Sequence, residues 1–89
     1  MRRVSQTGQF AKDLKRLARR GKNLDKLKEV IRTLSRGESL EPRHGDHALG
    51  GKWSRSRDCH IEWDWILIYT VEEGSLRLER TGTHRDLFR

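Results

Sequence analysis

Residues 65–71, WILIYTV, are apolar or aromatic at every position except Thr70, which limits this chain to few folds. Successive side chains of a strand point to opposite faces of its sheet, so such a run predicts a central strand covered on both sides. The segment just before it sets a titratable residue at every second position, namely Asp58, His60, Glu62 and Asp64. Together they predict a hairpin that joins the hydrophobic middle of a sheet to a row of titratable groups.

The first part of the chain has a helical period instead. Apolar residues recur at spacings of three and four in two stretches, 10–18 and 24–34, as they do on the buried faces of amphipathic helices. Thr7 and Asn23 precede these stretches as candidate N-caps, and a glycine follows each stretch as a stop. A hairpin of two basic amphipathic helices is predicted.

Strand patterns dominate the second half of the chain. Strands are predicted at 4–6, 52–57, 58–62, 65–71 and 75–81, with turns at Trp63-Asp64 and Glu73-Gly74. Residues 38–51 have no periodicity, and loops of this length tend to be functional. Helices followed by short-linked strands predict one α+β domain over residues 1–89, with two N-terminal helices packed on one face of a small antiparallel sheet.

The turn at Trp63-Asp64 also predicts the register of the hairpin, because cross-strand partners share a face. The predicted pairs are Glu62 with Trp65, His60 with Leu67, and Asp58 with Tyr69. The face toward the helices would carry Cys59, Ile61, Ile66 and Ile68. The opposite face would carry Asp58, His60, Glu62, Leu67 and Tyr69. One face is therefore predicted to be core and the other a site.

Charge indicates the class of partner. Twenty Lys and Arg stand against thirteen Asp and Glu, which gives a net charge of +7 and a pI near 10.3. Most of the cations are Arg, whose planar donors suit phosphate, so nucleic acid is the expected partner. The single cysteine, Cys59, excludes an internal disulfide and is expected in the core. No apolar run is long enough to span a bilayer, so a cytoplasmic protein without a membrane segment is expected.

The histidines suggest acid–base chemistry on RNA. Cleavage through the ribose 2′-OH needs a base for that proton, an acid for the departing 5′ oxygen, and cations around the phosphate. His60 or Asp64 is the candidate base, His84 the candidate acid and Arg80 the candidate cation. His47 lies beside other polar residues and is a further candidate.

Other residues are candidates for binding. Supporting contacts to RNA are assigned to Lys52, Arg55, Arg57 and Trp65, although Trp65 could equally fill the core. A metal site built from His44, Asp46, His47 and His60 is conceivable. However, a loop HxxH lacks the spacing of known zinc motifs, so neither a metal nor a cofactor is expected.

Three segments together resemble a known family: GDHALGGKW, RDCHIEWDWILIY and LERTGTHRDLF. They are similar, in order and spacing, to the YafQ-type mRNA interferase toxins of bacterial type II toxin-antitoxin modules, within the RelE/ParE superfamily. The resemblance covers essentially the whole chain. One departure is Trp63, where the family pattern has proline in the turn.

The resemblance implies a RelE-like, microbial-ribonuclease-like fold and a metal-independent endoribonuclease. Such a toxin enters the A site of the 70S ribosome and cuts mRNA by 2′-OH attack, which leaves a cyclic phosphate. The family's catalytic positions correspond here to His47, His60, Asp64, His84 and Phe88, with Asp58 and Arg80 in support. The implied partners are mRNA and a cognate antitoxin of the ribbon-helix-helix, DinJ-like kind, with operator DNA reached only through the antitoxin complex.

Two other functions fit parts of the sequence. Relatives of the ParE kind inhibit DNA gyrase and are not nucleases, but they lack the clustered histidines His47, His60 and His84. A basic nucleic-acid-binding domain without catalysis would account for the charge alone. It would leave three separate motif matches unexplained.

Overall fold

The structure is a computed structural model that describes residues 1–88. The strands are β1 Arg3–Gln6, β2 His47–Ala48, β3 Arg57–Glu62, β4 Trp65–Glu72 and β5 Ser75–Gly82. The helices are α1 Gly8–Arg19, α2 Leu24–Ser35 and the short α3 His84–Leu87, with 3₁₀ turns at Pro42–His44 and Gly51–Trp53. The α+β class and the two N-terminal helices are as predicted.

The five strands form one sheet in the order β1-β5-β4-β3-β2. The pairs β2–β3, β3–β4 and β4–β5 are antiparallel, but β1 pairs with β5 in parallel, so the expectation of a purely antiparallel sheet is wrong at this edge. Tight hairpins impose antiparallel pairing on consecutive strands, whereas both helices separate β1 from the rest of the sheet. The predicted strand 52–57 is also wrong, because a 3₁₀ turn occupies Gly51–Trp53 and β3 begins at Arg57.

Both long helices begin at the predicted caps. Thr7 Oγ1 accepts a hydrogen bond of 3.0 Å from the Phe10 amide, and Asn23 Oδ1 accepts one of 3.0 Å from the Asp25 amide. These bonds satisfy donors that a helix start would otherwise leave unpaired. The helices cover one face of the sheet, where one apolar cluster includes Phe10, Leu17, Leu27, Val30, Leu34, Cys59, Trp65, Leu67, Tyr69, Leu76 and Leu78. As expected, Cys59 is buried, and burial raises the pKa of its thiol.

The predicted turn at Trp63-Asp64 is present, but the predicted register holds only at the first pair, Glu62 with Trp65. A bulge between His60 and Glu62 shifts the remaining partners to His60 with Ile66, Cys59 with Leu67, and Asp58 with Ile68. A bulge adds one residue to one strand, and a slip of one residue turns every later side chain of the partner to the opposite face.

The face assignments for β4 are therefore reversed. Leu67 and Tyr69 pack under the helices, while Ile66 and Ile68 face the open side of the sheet. There they form a second cluster with Leu87, against which Leu49 and Trp53 pack.

Trp65 is a core residue and not an RNA-stacking group. Its side chain is fully buried beneath the helices, and its Nε1 donates to Thr81 Oγ1 at 3.0 Å. A base cannot reach an indole that is buried in this way. Among the helices of residues 1–88, none has the length and apolar composition that a membrane crossing requires.

Candidate active site

Asp58 lies at the centre of the titratable residues on the open face. Its backbone pairs with that of Ile68 on one side and that of His47, in β2, on the other. The side chain is almost wholly buried, and this burial raises the pKa of the carboxyl group above its usual value. Attraction to His47, His60 and His84 acts in the opposite direction. Strands β2 and β3 and helix α3 thus bring three of the four histidines around one carboxylate.

His84 is held by Asp64, which lies in the β3–β4 turn. The His84 ring donates from Nδ1 to Asp64 Oδ1 at 2.7 Å, and the His84 amide donates to the same oxygen at 3.0 Å. These two bonds lower the pKa of Asp64, the ring bond having the larger effect, so the carboxylate stays ionised. Because Nδ1 carries the proton in this bond, Nε2 is the ring nitrogen left to face a substrate.

The last turn of the chain is fixed to the body of the protein. Thr83 caps α3 through a reciprocal pair of hydrogen bonds with Asp86, and Asp86 also accepts from Arg20 of α1 at 2.8 and 3.3 Å. The Arg20 bond is the largest contribution that holds the pKa of Asp86 well below its usual range. The position of His84 is therefore set by α1 as well as by the turn that carries Asp64.

The rings of His60 and Phe88 both lie near the ring of His84. The ring centroids of His60 and His84 are 5.5 Å apart, and those of His84 and Phe88 are 6.3 Å apart. Phe88 remains 41% exposed, so its ring is accessible beside the histidines. The predicted residues His60, Asp64, His84 and Phe88 thus form one continuous cluster.

His47 reaches the same carboxylate from the neighbouring strand. Its Nδ1 donates to the Gly45 carbonyl at 2.8 Å and lies 3.0 Å from Asp58 Oδ1. The His47 side chain is 58% exposed. Its Nε2 is therefore free of the contacts that fix the ring.

A network that the sequence did not reveal holds the loop before β2. Asp46 Oδ1 accepts from the Tyr69 hydroxyl at 2.6 Å and from Arg57 Nε at 3.0 Å. His44 Nδ1 donates to the His60 carbonyl at 2.6 Å, so His44 anchors the loop. In the sequence, this network is indicated only by the acidic residue Asp46 in a loop. Its partners lie on strands whose register could not be read from the sequence.

Arg80 makes its ion pair with a buried carboxylate of α1. Its Nε and Nη2 donate to the two carboxylate oxygens of Asp13 at 2.8 and 3.2 Å, and Asp13 also accepts from the Thr81 amide at 3.1 Å. Asp13 is fully buried and also pairs with Arg16. The predicted cation is therefore held by α1, with 21% of its side chain exposed.

The predicted basic residues near the start of β3 lie in two places. Lys52 and Arg55 line an open groove of about 400 Å³ together with Arg77, whereas Arg57 pairs with Asp46. Thr70 also lines this groove and follows Ile66 and Ile68 by two-residue steps, which places the groove on the open face of the sheet. Within residues 1–88, no three His, Cys, Asp or Glu side chains are arranged to hold a metal ion.

Comparisons with known proteins identify the family that the sequence resembles. The family described as the bacterial toxin of type II toxin-antitoxin systems, YafQ, matches residues 2–89. The mRNA interferase toxin YafQ of Escherichia coli K12 is 43% identical over 88 residues, which span 98% of this chain and 96% of the relative. These matches confirm the resemblance drawn from the three sequence segments.

Two solved structures have the same fold. The E. coli DinJ-YafQ complex contains a chain that is 42% identical, with a TM-score of 0.92 and complete coverage of both chains. A copper-bound mutant toxin from Helicobacter pylori is 42% identical, with a TM-score of 0.94, and the match covers 99% of this chain and 100% of that one.

Proposed function

We propose that this chain, which belongs to the YafQ family of toxins of bacterial type II toxin-antitoxin systems, is an endoribonuclease that cuts mRNA in the ribosomal A site. The E. coli relative bears the name mRNA interferase. The observation that carries the proposal is the pair His60 and His84, with rings 5.5 Å apart and His84 bonded to Asp64. Two imidazoles at this spacing can serve the attacking and departing oxygens of one phosphodiester.

His84 is the proposed acid. Asp64 holds the Nδ1 proton and stays ionised, so it stabilises a positively charged ring and directs Nε2 to the departing 5′ oxygen. His60 is the proposed base for the 2′-OH. The lowered pKa of Asp64, together with its two bonds from His84, makes that carboxylate a poor proton acceptor and a good positioning group. The products would be a 2′,3′-cyclic phosphate and a free 5′ hydroxyl.

Asp58 and the cations support this chemistry. Buried Asp58 attracts all three histidines, and its Oδ1 lies 3.0 Å from His47 Nδ1. Arg80 uses two N–H donors on Asp13, and a guanidinium has five, so donors remain for a phosphate oxygen. Lys52 and Arg55 in the basic groove would contact the RNA backbone outside the cleaved bond.

A cognate antitoxin is the second proposed partner. The E. coli YafQ structure in complex with DinJ supports a protein partner for a chain of this fold. We expect a ribbon-helix-helix antitoxin that neutralises part of the +7 charge, and operator DNA bound only through that complex.

Cleavage of ribosome-bound mRNA tests the proposal. Ribosomes carrying an mRNA with an empty A site are mixed with the protein, and new 5′ ends are mapped by primer extension. We expect cleavage by the wild type, and unchanged cleavage by Arg36→Ala, which removes an exposed cation at the end of α2. Absence of cleavage by the wild type would overturn the proposal.

The same assay in the presence of a chelator tests whether cleavage is independent of a metal ion. A toxin of this fold from H. pylori has been solved with copper, so the assay is repeated in EDTA with magnesium in excess for the ribosomes. Because the proposed acid, base and cations are all side chains, the rate should not change. A rate that falls in EDTA and returns with copper or zinc would contradict the proposed proton transfer.

A further inference from the structure

A groove of about 470 Å³ opens beside the β3–β4 turn, next to the histidine cluster. Its walls come from α2, from the loop that carries Arg43 and His44, and from the end of β3 with Trp63. None of the proposed catalytic steps uses this space.

His60 belongs to both the groove and the cluster. It lines the groove, and its ring is 5.5 Å from that of His84. Trp63 is the direct chain neighbour of Asp64, which holds His84. A strand of RNA whose phosphodiester lies at the two histidines would therefore pass next to the groove.

The exposed aromatic side chains are concentrated at this place. The chain has six Phe, Trp and Tyr residues, all within residues 1–88, and only Trp63 and Phe88 are exposed. Phe88 lies beside His84, and Trp63 is 87% exposed at the tip of the hairpin. An indole that is so exposed adds nothing to the core, but it offers a flat face on which a base can stack.

The charges of the groove are compatible with RNA. Arg43 contributes positive charge to the lining, and each carboxylate there is already paired with a cation. Glu62 accepts from Lys22 at 3.0 Å and from Lys26 at 2.7 Å, and Glu29 accepts from Arg32 at 2.6 Å. The carboxylates are thus neutralised by neighbouring cations, and a phosphate next to the bound base would not face an unpaired negative charge.

We propose that this groove is a subsite for one unpaired nucleobase that flanks the cleaved bond and stacks on Trp63. The proposal rests on the proposed function and adds a group that engages the substrate beyond the reacting atoms. A peptide segment of an antitoxin is an alternative occupant. We favour a base because His60 lines the groove and also belongs to the proposed site of RNA cleavage.

Single-turnover cleavage with modified mRNA tests the subsite. Programmed ribosomes carry either the natural mRNA or one with an abasic nucleotide on the 5′ or 3′ side of the cut. The proteins are the wild type, Trp63→Ala, Trp63→Phe and Val4→Ala, the last of which removes another exposed apolar side chain. Stacking on one base predicts that Trp63→Ala slows cleavage of natural mRNA about fivefold to hundredfold, with unchanged thermal unfolding.

The abasic substrates separate stacking from other effects. Trp63→Phe should keep most of the activity because it keeps an aromatic face, and Val4→Ala should match the wild type. At one of the two abasic positions the wild type should slow to the rate of Trp63→Ala, and Trp63→Ala should lose nothing more. Equal rates for the wild type and Trp63→Ala on natural mRNA would overturn the subsite and leave the proposed nuclease standing.

Two further outcomes are decisive. If the wild type does not cut, the proposed nuclease fails, and the subsite is judged by binding of a 2′-O-methylated RNA oligonucleotide, where equal affinity of the wild type and Trp63→Ala would overturn it. If Trp63→Ala instead weakens only the complex with the antitoxin encoded beside this chain, the groove binds protein and the nucleobase proposal is wrong.

Discussion

The face of the sheet under α1 and α2 and the open face differ in what they bury. The helix side buries a large apolar cluster that includes Trp65, Leu67 and Tyr69. The open side buries only the small cluster of Ile66, Ile68 and Leu87, and beside it lie Asp58 and the three histidines. One strand, β4, supplies both clusters through alternate residues. The comparison indicates that the helix face supplies most of the stability, whereas the proposed chemistry takes place on the open face.

The largest expected effect is on the open face. His84→Ala should slow mRNA cleavage by about a hundredfold to ten-thousandfold, because it removes one proton-transfer group. The exposed side chain packs little, so the free energy of unfolding should change by only about 0.5 kcal/mol. Primer extension and a circular dichroism melt on the same protein measure both quantities. Cleavage at the normal rate would remove His84 from the acid role and shift that role to His47 or His60.

A substitution on the helix face should instead reduce stability and leave the cleavage rate nearly unchanged. Leu67→Ala removes a fully buried side chain and should lower the free energy of unfolding by about 2 to 5 kcal/mol. Below its melting temperature, the folded variant should still cut mRNA at nearly the wild-type rate. Urea titration gives the stability change, with Val4→Ala as an exposed apolar control. If Leu67→Ala left stability unchanged, the corrected register of β3 and β4 would be contradicted.

The smallest expected effect concerns Asp58 on the open face. Its ionised carboxylate lowers the stability of the fold but supports the proposed chemistry. Burial raises the pKa of Asp58 in the folded state, so folding favours the protonated carboxyl and disfavours the ionised one. The wild type therefore gains stability as the pH falls through that raised pKa toward the ordinary value of about 3.9 for Asp. Asp58→Asn lacks this dependence.

At neutral pH, Asp58→Asn should melt a few degrees higher than the wild type, and the difference should vanish below about pH 4. Cleavage by the same variant should fall, because the carboxylate near the three histidines is lost. Melting curves from about pH 3 to pH 8 measure the first effect, because the range has to extend below the pH at which the difference should vanish. A variant that is less stable than the wild type at neutral pH would show that the attraction to the histidines outweighs the cost of burial.

The caps of the two long helices and the β3–β4 turn were predicted correctly from short stretches of sequence, whereas the local strand pattern at 52–57 was not. The caps Thr7 and Asn23 and the turn at Trp63-Asp64 depend on neighbouring residues, and all three are present. The bulge after His60 was not predicted, because Ile61 looks like any other apolar strand residue. That single extra residue reversed the face of every β4 side chain that had been assigned from the turn.

The sequence by itself determined which residue types are present at the candidate site and which segments carry them, because both are properties of short stretches and of the family resemblance. Only the tertiary structure decided which groups meet. Three contacts join residues that are separated in the chain. Asp13 pairs with Arg80, Asp46 accepts hydrogen bonds from Tyr69 and Arg57, and His84 donates to Asp64. Such contacts depend on sheet register and helix docking, which result from packing of the whole domain and leave no local pattern in the sequence.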